Sequence, residues 1–302
     1  MPGGLLECVP NVSEGREAAV LARLADAIRA VPGVRLMNVH ADPDHHRSVY
    51  SFLGRPAAVE AAALALADAV LASVDMRLHA GLHPRIGALD VVPFVPIEGL
   101  AMDDAVASAR RFGAAVAARH RLPVYYYARA ATTPARRRLP DARRGGYEAL
   151  AARLASPAGA PDAGPARFDP RAGAVLAGAR PVLVAFNVWL ASGDLAGARA
   201  IAAAVRETSG GLPAVQALGL PLPTRGVVQV SMNLLDPATT PIPAAFDAVD
   251  REAGHRGLRV LRGELVGVAP RAAFAGRSPE SVGLADFTPD LELDHHVEAL
   301  RG

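Results

Sequence analysis

Apolar and polar positions follow two rhythms along the chain. LLECVP (5–10), VRLMNV (34–39) and RSVYSFLG (47–54) alternate or run apolar over a few residues, the pattern of strands packed on one or both faces. Between the first two, apolar residues recur at helical spacing from Ser13-Glu14 to about residue 30, where Pro32-Gly33 stops them. An Ala-rich helix is predicted over 56–73. ALDVVPFVP (88–96) reads as a buried strand, 102–120 as a helix and LPVYYYA (122–128) as a strand. The first half therefore predicts β-α-β-β-α-β with one further α-β unit.

The second half restarts the same order. RPVLVAFNVWL (180–190) is a strand and 193–207 a helix. AVQALGLPL (214–222) and GVVQVSMNLL (226–235) are paired strands, 241–256 a helix and LRVLRGELVG (258–267) a strand. This is the split β-α-β order. It predicts an α+β protein: two ferredoxin-like (βαββαβ) subdomains in tandem with a cleft between them. Residues 1–180 form the first, including a Pro/Gly/Arg-rich connector (129–180) broken by a short helix near 146–154. Residues 181–302 form the second, with a tail (276–302) expected to be partly mobile.

Composition narrows the function. The formal charge is only +2, from 32 basic and 30 acidic residues, which argues against a nucleic-acid binder. The arginines of ARRRLPDARRGG (135–146) are the one stretch that keeps such a binder open, and few aromatic residues accompany them. Every basic residue is arginine, so lysine Schiff-base chemistry and a P-loop lysine are excluded. The lone Cys8 permits no internal disulfide and, in a strand, reads as structural. No signal peptide is expected, and the most apolar run, 57–72, is interrupted by Glu60 and Asp68. These readings predict a cytoplasmic protein without a membrane span.

Three stretches carry candidate chemistry. HAGLHPRIGALD (79–90) sets His79 and His83 four apart in a Gly/Pro-rich loop that feeds a buried strand. Metal binding would need a third ligand and a helix here, and Pro84, Gly81 and Gly87 argue for a loop. Such a loop presents a histidine to a cleft, and histidine titrates near neutrality. NVHADPDHHRSV (38–49) gathers three histidines and two aspartates between two strands. ECVPNVSEG (7–15) ends a strand at Pro10-Asn11 and offers Ser13 as a helix N-cap.

Taken in order and spacing, ECVPNVSEG, DPDHHRSVYSFLGRP, HAGLHPRIGALDVVPFVP, GARPVLVAFNVWL and VQVSMNLLD resemble the formiminotransferase domain of the formiminotransferase-cyclodeaminase family, from about residue 5 to about 275. The resemblance implies tandem ferredoxin-like subdomains, often paired into homodimers. It implies transfer of a formimino group from N-formimino-L-glutamate to tetrahydrofolate as co-substrate, with no metal. The family's catalytic histidine falls on His83. Family members often carry Glu before it, where this chain has Leu82. The family's acidic partner position falls on His40, with Asp42 two residues on; Asp44 or Asp90 could serve instead. The folate segment falls on Gly164–Gly173, with Gly164, Pro165, Arg167, Phe168, Arg171 and Gly173 as contacts. Asn11 joins the substrate-binding set, and Arg85 either binds a substrate carboxylate or anchors the loop. His79 is read as supporting. The implied reaction suits a single histidine that takes a proton from N5 of the folate and returns one to the departing glutamate nitrogen. Two other readings stay open: the same fold acting on 5-formyl-tetrahydrofolate, and a His-based metal hydrolase.

Overall fold

Strand alternation sorts the N-terminal residues into two faces. The structure, a computed structural model, describes residues 4–301. The first strand runs as β1 (Leu5–Cys8) and, past Pro10, as β2 (Asn11–Val12). There follow α1 (Ala18–Arg29), β3 (Val34–Asp42), β4 (Arg47–Gly54), α2 (Pro56–Ser73) and β5 (Leu89–Glu98). β3 pairs with β4, β4 with β1 and β2, and these with β5, all antiparallel. That is the ferredoxin-like order. Leu6, Cys8, Val12, Tyr50, Phe52, Val92 and Phe94 turn toward the helices and bury against Leu24, Ile28, Leu66 and Val70.

α2 packs against both α1 and α3 (Met102–His120). Two helical neighbours explain why apolar residues spread so widely around it. It is the one helix among the described residues long and apolar enough to cross a membrane, and Val59, Ala62, Leu66 and Val70 are buried in this core. Glu60 and Asp68 point instead to Arg111 (2.6 Å) and His120 (2.8 Å) of α3.

The connector departs from its expected form. After β6 (Val124–Ala128) come the short helices α4 (Leu139–Ala142) and α5 (Leu150–Leu154), then a strand, β7 (Val175–Ala179). β7 inserts between β5 and β6, parallel to both, and the first sheet has seven strands. VLAGA reads as loop because it is short and rich in small residues. The small size is a packing requirement: a Cβ on Gly178 would lie 2.4 Å from the Tyr127 ring. The connector's helices cover the sheet's other face, where Ala142, Leu150 and Leu154 bury Val91, Tyr125, Tyr127 and Leu176.

The start of α1 also differs. Ser13 does not cap it; its hydroxyl donates to the Gly87 carbonyl (2.8 Å). The Glu14 carboxylate instead accepts the N–H groups of Arg16 (2.7 Å) and Glu17 (3.0 Å), so a turn occupies 14–17 and the helix waits until Ala18.

The chain divides into two compact units between Arg180 and Pro181. The second contains β8 (Val184–Leu190), α6 (Leu195–Val205), β9 (Val215–Leu222), β10 (Val227–Leu234), α7 (Ile242–Gly254) and β11 (Val260–Val266). Its antiparallel sheet runs β11-β8-β10-β9, again ferredoxin-like. Asp194 caps α6 by accepting the Gly197 N–H (2.9 Å). Phe186, Val188, Ile201, Val230, Met232 and Val249 form its core. The tail is folded rather than mobile. Val282 and Leu284 enter the core, and α8 (Leu293–Arg301) buries Leu293, His296 and Val297, tied by the Leu293 N–H to Ala269 O (2.9 Å).

Candidate active site

Alternation that sends Val12, Tyr50 and Phe52 to the helices sends Asn11 and Arg47 to the opposite face of the first sheet. There Ser13, His45, His46, Arg47, His79, His83, Arg85 and Asp90 line a pocket with about 170 Å³ of empty space, part of it continuous with solvent. The loop carrying His83 is clamped at its C-terminal end. Ala88 N–H reaches Ala172 O (2.9 Å) and Ala174 N–H reaches Ile86 O (3.1 Å). Gly87 and Gly173 bridge between them. Only glycine fits at 87, where a Cβ would stand 2.2 Å from Ala174 O.

His83 is half-buried at the surface, but its Nδ1 is enclosed and has no hydrogen-bond partner of good geometry. The nearby Pro84 carbonyl favours the protonated ring. Arg47 Nη1 lies 2.6 Å from Nε2. A guanidinium has donors only, so Nε2 accepts and the hydrogen of the neutral ring sits on Nδ1. Desolvation first, then the cations Arg47 and Arg143 and the neighbouring His45, hold His83 well below the ordinary histidine range. Where the sequence suggests a ring titrating near neutrality, these surroundings favour the neutral form.

Asp90 stands at the start of β5, where its carboxylate accepts the Ile86 N–H (2.9 Å) and pairs with Arg143 from the connector. Burial raises the Asp90 pKa, and Arg143 pulls it back. Arg47 also donates to Asn11 Oδ1 (3.1 Å), whose amide donates to Val9 O (3.2 Å).

His79 and His46 stack with ring centres 4.3 Å apart. Arg85 Nε donates to His79 Nδ1 (3.1 Å), so His79 Nε2 carries the hydrogen and donates to His46 O (2.8 Å). Burial pushes both rings below the ordinary range. Arg85 also pairs with Glu148 (2.7 Å) and lies over Tyr147. Of the two roles open to Arg85, these contacts are those of a loop anchor.

The other predicted residues are placed unevenly. His40 sits in β3 opposite Val49 and is not part of the pocket lining. Asp42 holds the 42–45 turn by accepting the His45 N–H (2.8 Å) and faces His45 Nδ1 at 3.9 Å. It is thus one ring removed from His83, since the His45 and His83 centroids are 6.1 Å apart. In the folate segment Gly173 adjoins the pocket through Gly87, whereas Gly164 packs against the Leu122 carbonyl at the start of β6, with Pro165 beside it. Phe168 meets Tyr147 at 5.4 Å, Arg171 donates to Ala72 O (2.9 Å) and Arg167 is exposed. Sequence reasoning missed Arg47 and Arg143, and held His45 only as one of the three histidines of 38–49. Alternation in RSVYSFLG carries the signal for Arg47, which shares the face of Val49 and Ser51; nothing local marks Arg143. Among the described residues no group of three or more His, Cys, Asp or Glu is arranged to hold a metal ion.

Fold and site together define an α+β protein of tandem ferredoxin-like units whose first unit carries a histidine–arginine pocket. Residues 5–180 match the family model described as the formiminotransferase domain, N-terminal subdomain, and residues 185–278 that of the formiminotransferase domain. The chain belongs to the formiminotransferase family. It is 40% identical to the glutamate formimidoyltransferase of Thermoplasma acidophilum, covering 97% of each chain. It is 33% identical to the Streptococcus pyogenes serotype M1 enzyme of the same name, covering 98% of this chain and 97% of that one. It is 43% identical to the formimidoyltransferase-cyclodeaminase of Sus scrofa over 89% of this chain, but spans only 51% of that relative.

Proposed function

We propose that this protein transfers the formimino group of N-formimino-L-glutamate to N5 of tetrahydrofolate, releasing glutamate and 5-formiminotetrahydrofolate. The observation that carries this reading is the placing of His83 in a pocket rich in arginine, its Nε2 accepting from Arg47 and its ring held toward the neutral form. Support comes from the nearly full-length relatives named glutamate formimidoyltransferase. N5 attacks the electrophilic formimino carbon; the new C–N5 bond forms and the N5 proton passes to His83 Nε2. The protonated ring then gives its proton to the glutamate nitrogen as the old C–N bond breaks. Asp42 acts on His83 only through His45, and His40 is not assigned a step.

The pocket is narrow, its empty space of about 170 Å³ including open solvent. It takes the reacting groups, and the rest of the folate runs along the Gly164–Gly173 segment. Arg167 there offers its fork to a folate carboxylate. The reading extends to a homodimer acting in the cytoplasm, which rests on the family resemblance alone.

The test is to follow glutamate release and acid-developed methenyl-folate absorbance with formiminoglutamate and tetrahydrofolate. Wild type turns over, and His83→Ala loses about 10²–10⁴-fold in kcat while His79→Ala loses less. A wild type that binds folate yet releases no glutamate overturns the reading, and 5-formyl-tetrahydrofolate is then the substrate to try.

A further inference from the structure

We propose that Tyr147 is a positioning residue that couples a ligand on the Gly164–Gly173 segment to the seating of His83. A folate lying on that segment steadies, through Tyr147, the loop that carries the histidine. This rests on reading the segment as the folate run of the formimino-transfer site.

The sequence first supplies a turn. Gly145 and Gly146 adopt φ +83° and +64°, a conformation that costs glycine little and other residues more. They reverse the chain after α4, and the Tyr147 N–H reaches the Arg85 carbonyl at 2.8 Å. Pro84 alone separates Arg85 from His83, and a proline ring locks φ. A shift of the Arg85 backbone is therefore passed to His83 through a stiff link.

The side chain of Tyr147 belongs to the folate segment. Its hydroxyl donates to the Pro170 carbonyl, and its ring meets that of Phe168 with centres 5.4 Å apart. The Arg85 guanidinium lies over the same ring, 5.7 Å from its centre. One residue thus joins the segment by its side chain to the loop by its backbone.

The segment and the start of β7 also hold the two ends of the loop by main-chain bonds. Met76 N–H reaches Arg171 O (2.9 Å) at the start; Ala88 N–H reaches Ala172 O (2.9 Å) and Ala174 N–H reaches Ile86 O (3.1 Å) at the finish. These bonds fix the ends whatever side chain stands at 147. What Tyr147 adds is the seating of the interior, 79–85. Arg85 is held by Glu148 as well, at 2.7 Å. That bond ends on an exposed carboxylate, so it anchors the loop without joining it to the segment.

The test is hydrogen exchange, read by mass spectrometry in peptides covering 79–85, with tetrahydrofolate alone as the probe and no formimino donor. In wild type, saturating tetrahydrofolate slows exchange there by at least about fivefold, the low end of ordinary coupling between sites. In Tyr147→Ala, saturating tetrahydrofolate leaves it unchanged. Coupling is reciprocal, so the Kd for tetrahydrofolate rises in this variant by about the factor lost in protection. Tyr147→Phe keeps the ring without the bond to Pro170 and retains part of the response. Glu148→Gln speeds exchange in the unliganded loop but keeps the response in full. If Tyr147→Ala does not fold, Tyr147→Phe combined with Phe168→Leu weakens both links to the segment and must lose the response in its place.

Equal slowing at saturation in wild type and Tyr147→Ala overturns the proposal, because Tyr147 then only stiffens the loop. Wild type that binds tetrahydrofolate with unchanged exchange over 79–85 also overturns it and leaves the transferase reading to its own assay. Wild type that binds no tetrahydrofolate overturns both. A response that vanishes in Tyr147→Ala, in a protein that transfers no formimino group, supports the coupling and overturns the assigned donor instead.

Discussion

The two units share one strand order but differ in where that order is broken. In the second, β8, β9 and β10 pair over seven or eight residues in unbroken register, and only β11 slips, between Val260 and Arg262. In the first, the opening strand splits around Val9-Pro10, and registers shift at Leu5/Leu6, Asn11/Val12 and Leu36/Asn38. His46 adopts φ +50° in the turn before β4. Asn11, Ser13, His46 and Arg47 all lie at these breaks or next to them. A regular ladder consumes its backbone groups and sends side chains alternately to core and surface. A broken one re-aims side chains and frees the chain to bring histidines together.

The buried polar groups differ in the same sense. β8 buries the neutral Asn187, whose amide donates to Glu264 (2.8 Å). β1 buries a carboxyl, Glu7, and the pocket buries the Asp90–Arg143 pair. The first unit thus carries electrostatic cost that the matching strand of the second avoids.

This contrast can be broken by experiment. The largest effect expected is on rate: His83→Ala removes about 10²–10⁴-fold of kcat with its melting temperature nearly unchanged. If equal losses follow from truncating Asn187 in the second unit, the chemistry is not confined to the first. Asp90→Ala strands Arg143 and is expected to cost about 3–5 kcal/mol in urea unfolding. A variant as stable as wild type would show that the pair is not a buried dependency at all.

The third test is pH dependence. Burial lifts Glu7 to about 7, with Arg180 opposing. Its folded pKa lies above its unfolded value of 4.5, so between those values the folded state holds the extra proton. Stability falls as pH rises from about 4.5 to about 7, by about 3 kcal/mol in all. His83 acts in the opposite sense. Its folded pKa is depressed, so its contribution is present above 6.5 and lost as pH falls below that value. Glu7→Gln is expected to flatten the loss toward pH 7 and expose the acid-side loss from His83. Unfolding curves at pH 5 to 8 that are the same for both proteins would refute this. The smallest effect expected is from Glu60→Gln, which breaks the exposed bond to Arg111 and shifts stability by less than about 1 kcal/mol, with kcat unchanged.

The opening residues show how far sequence reading carried. Strands over 34–39 and 47–54, the helices over 56–73 and 102–120 and the whole second βαββαβ order were legible, because each has a strong local period. His83 was legible from its motif, and its loop setting from Pro84 and Gly87. β7 was not, because small residues that suit the space under Tyr127 carry no strand signal. Ser13 misled, since a good N-cap residue was taken up by a carbonyl 74 positions away.

What the sequence determined by itself is the fold class, the tandem order and the candidate histidine His83, since periodicity and short motifs are local properties of the chain. What only the tertiary structure decided is the company that residue keeps. Arg47 is 36 residues from His83, and Arg143 is 53 residues from Asp90. No local rule joins them. The pleat of one sheet and the return of one connector bring their charges to the same ring, and with burial, the larger cause, they disfavour its protonated form.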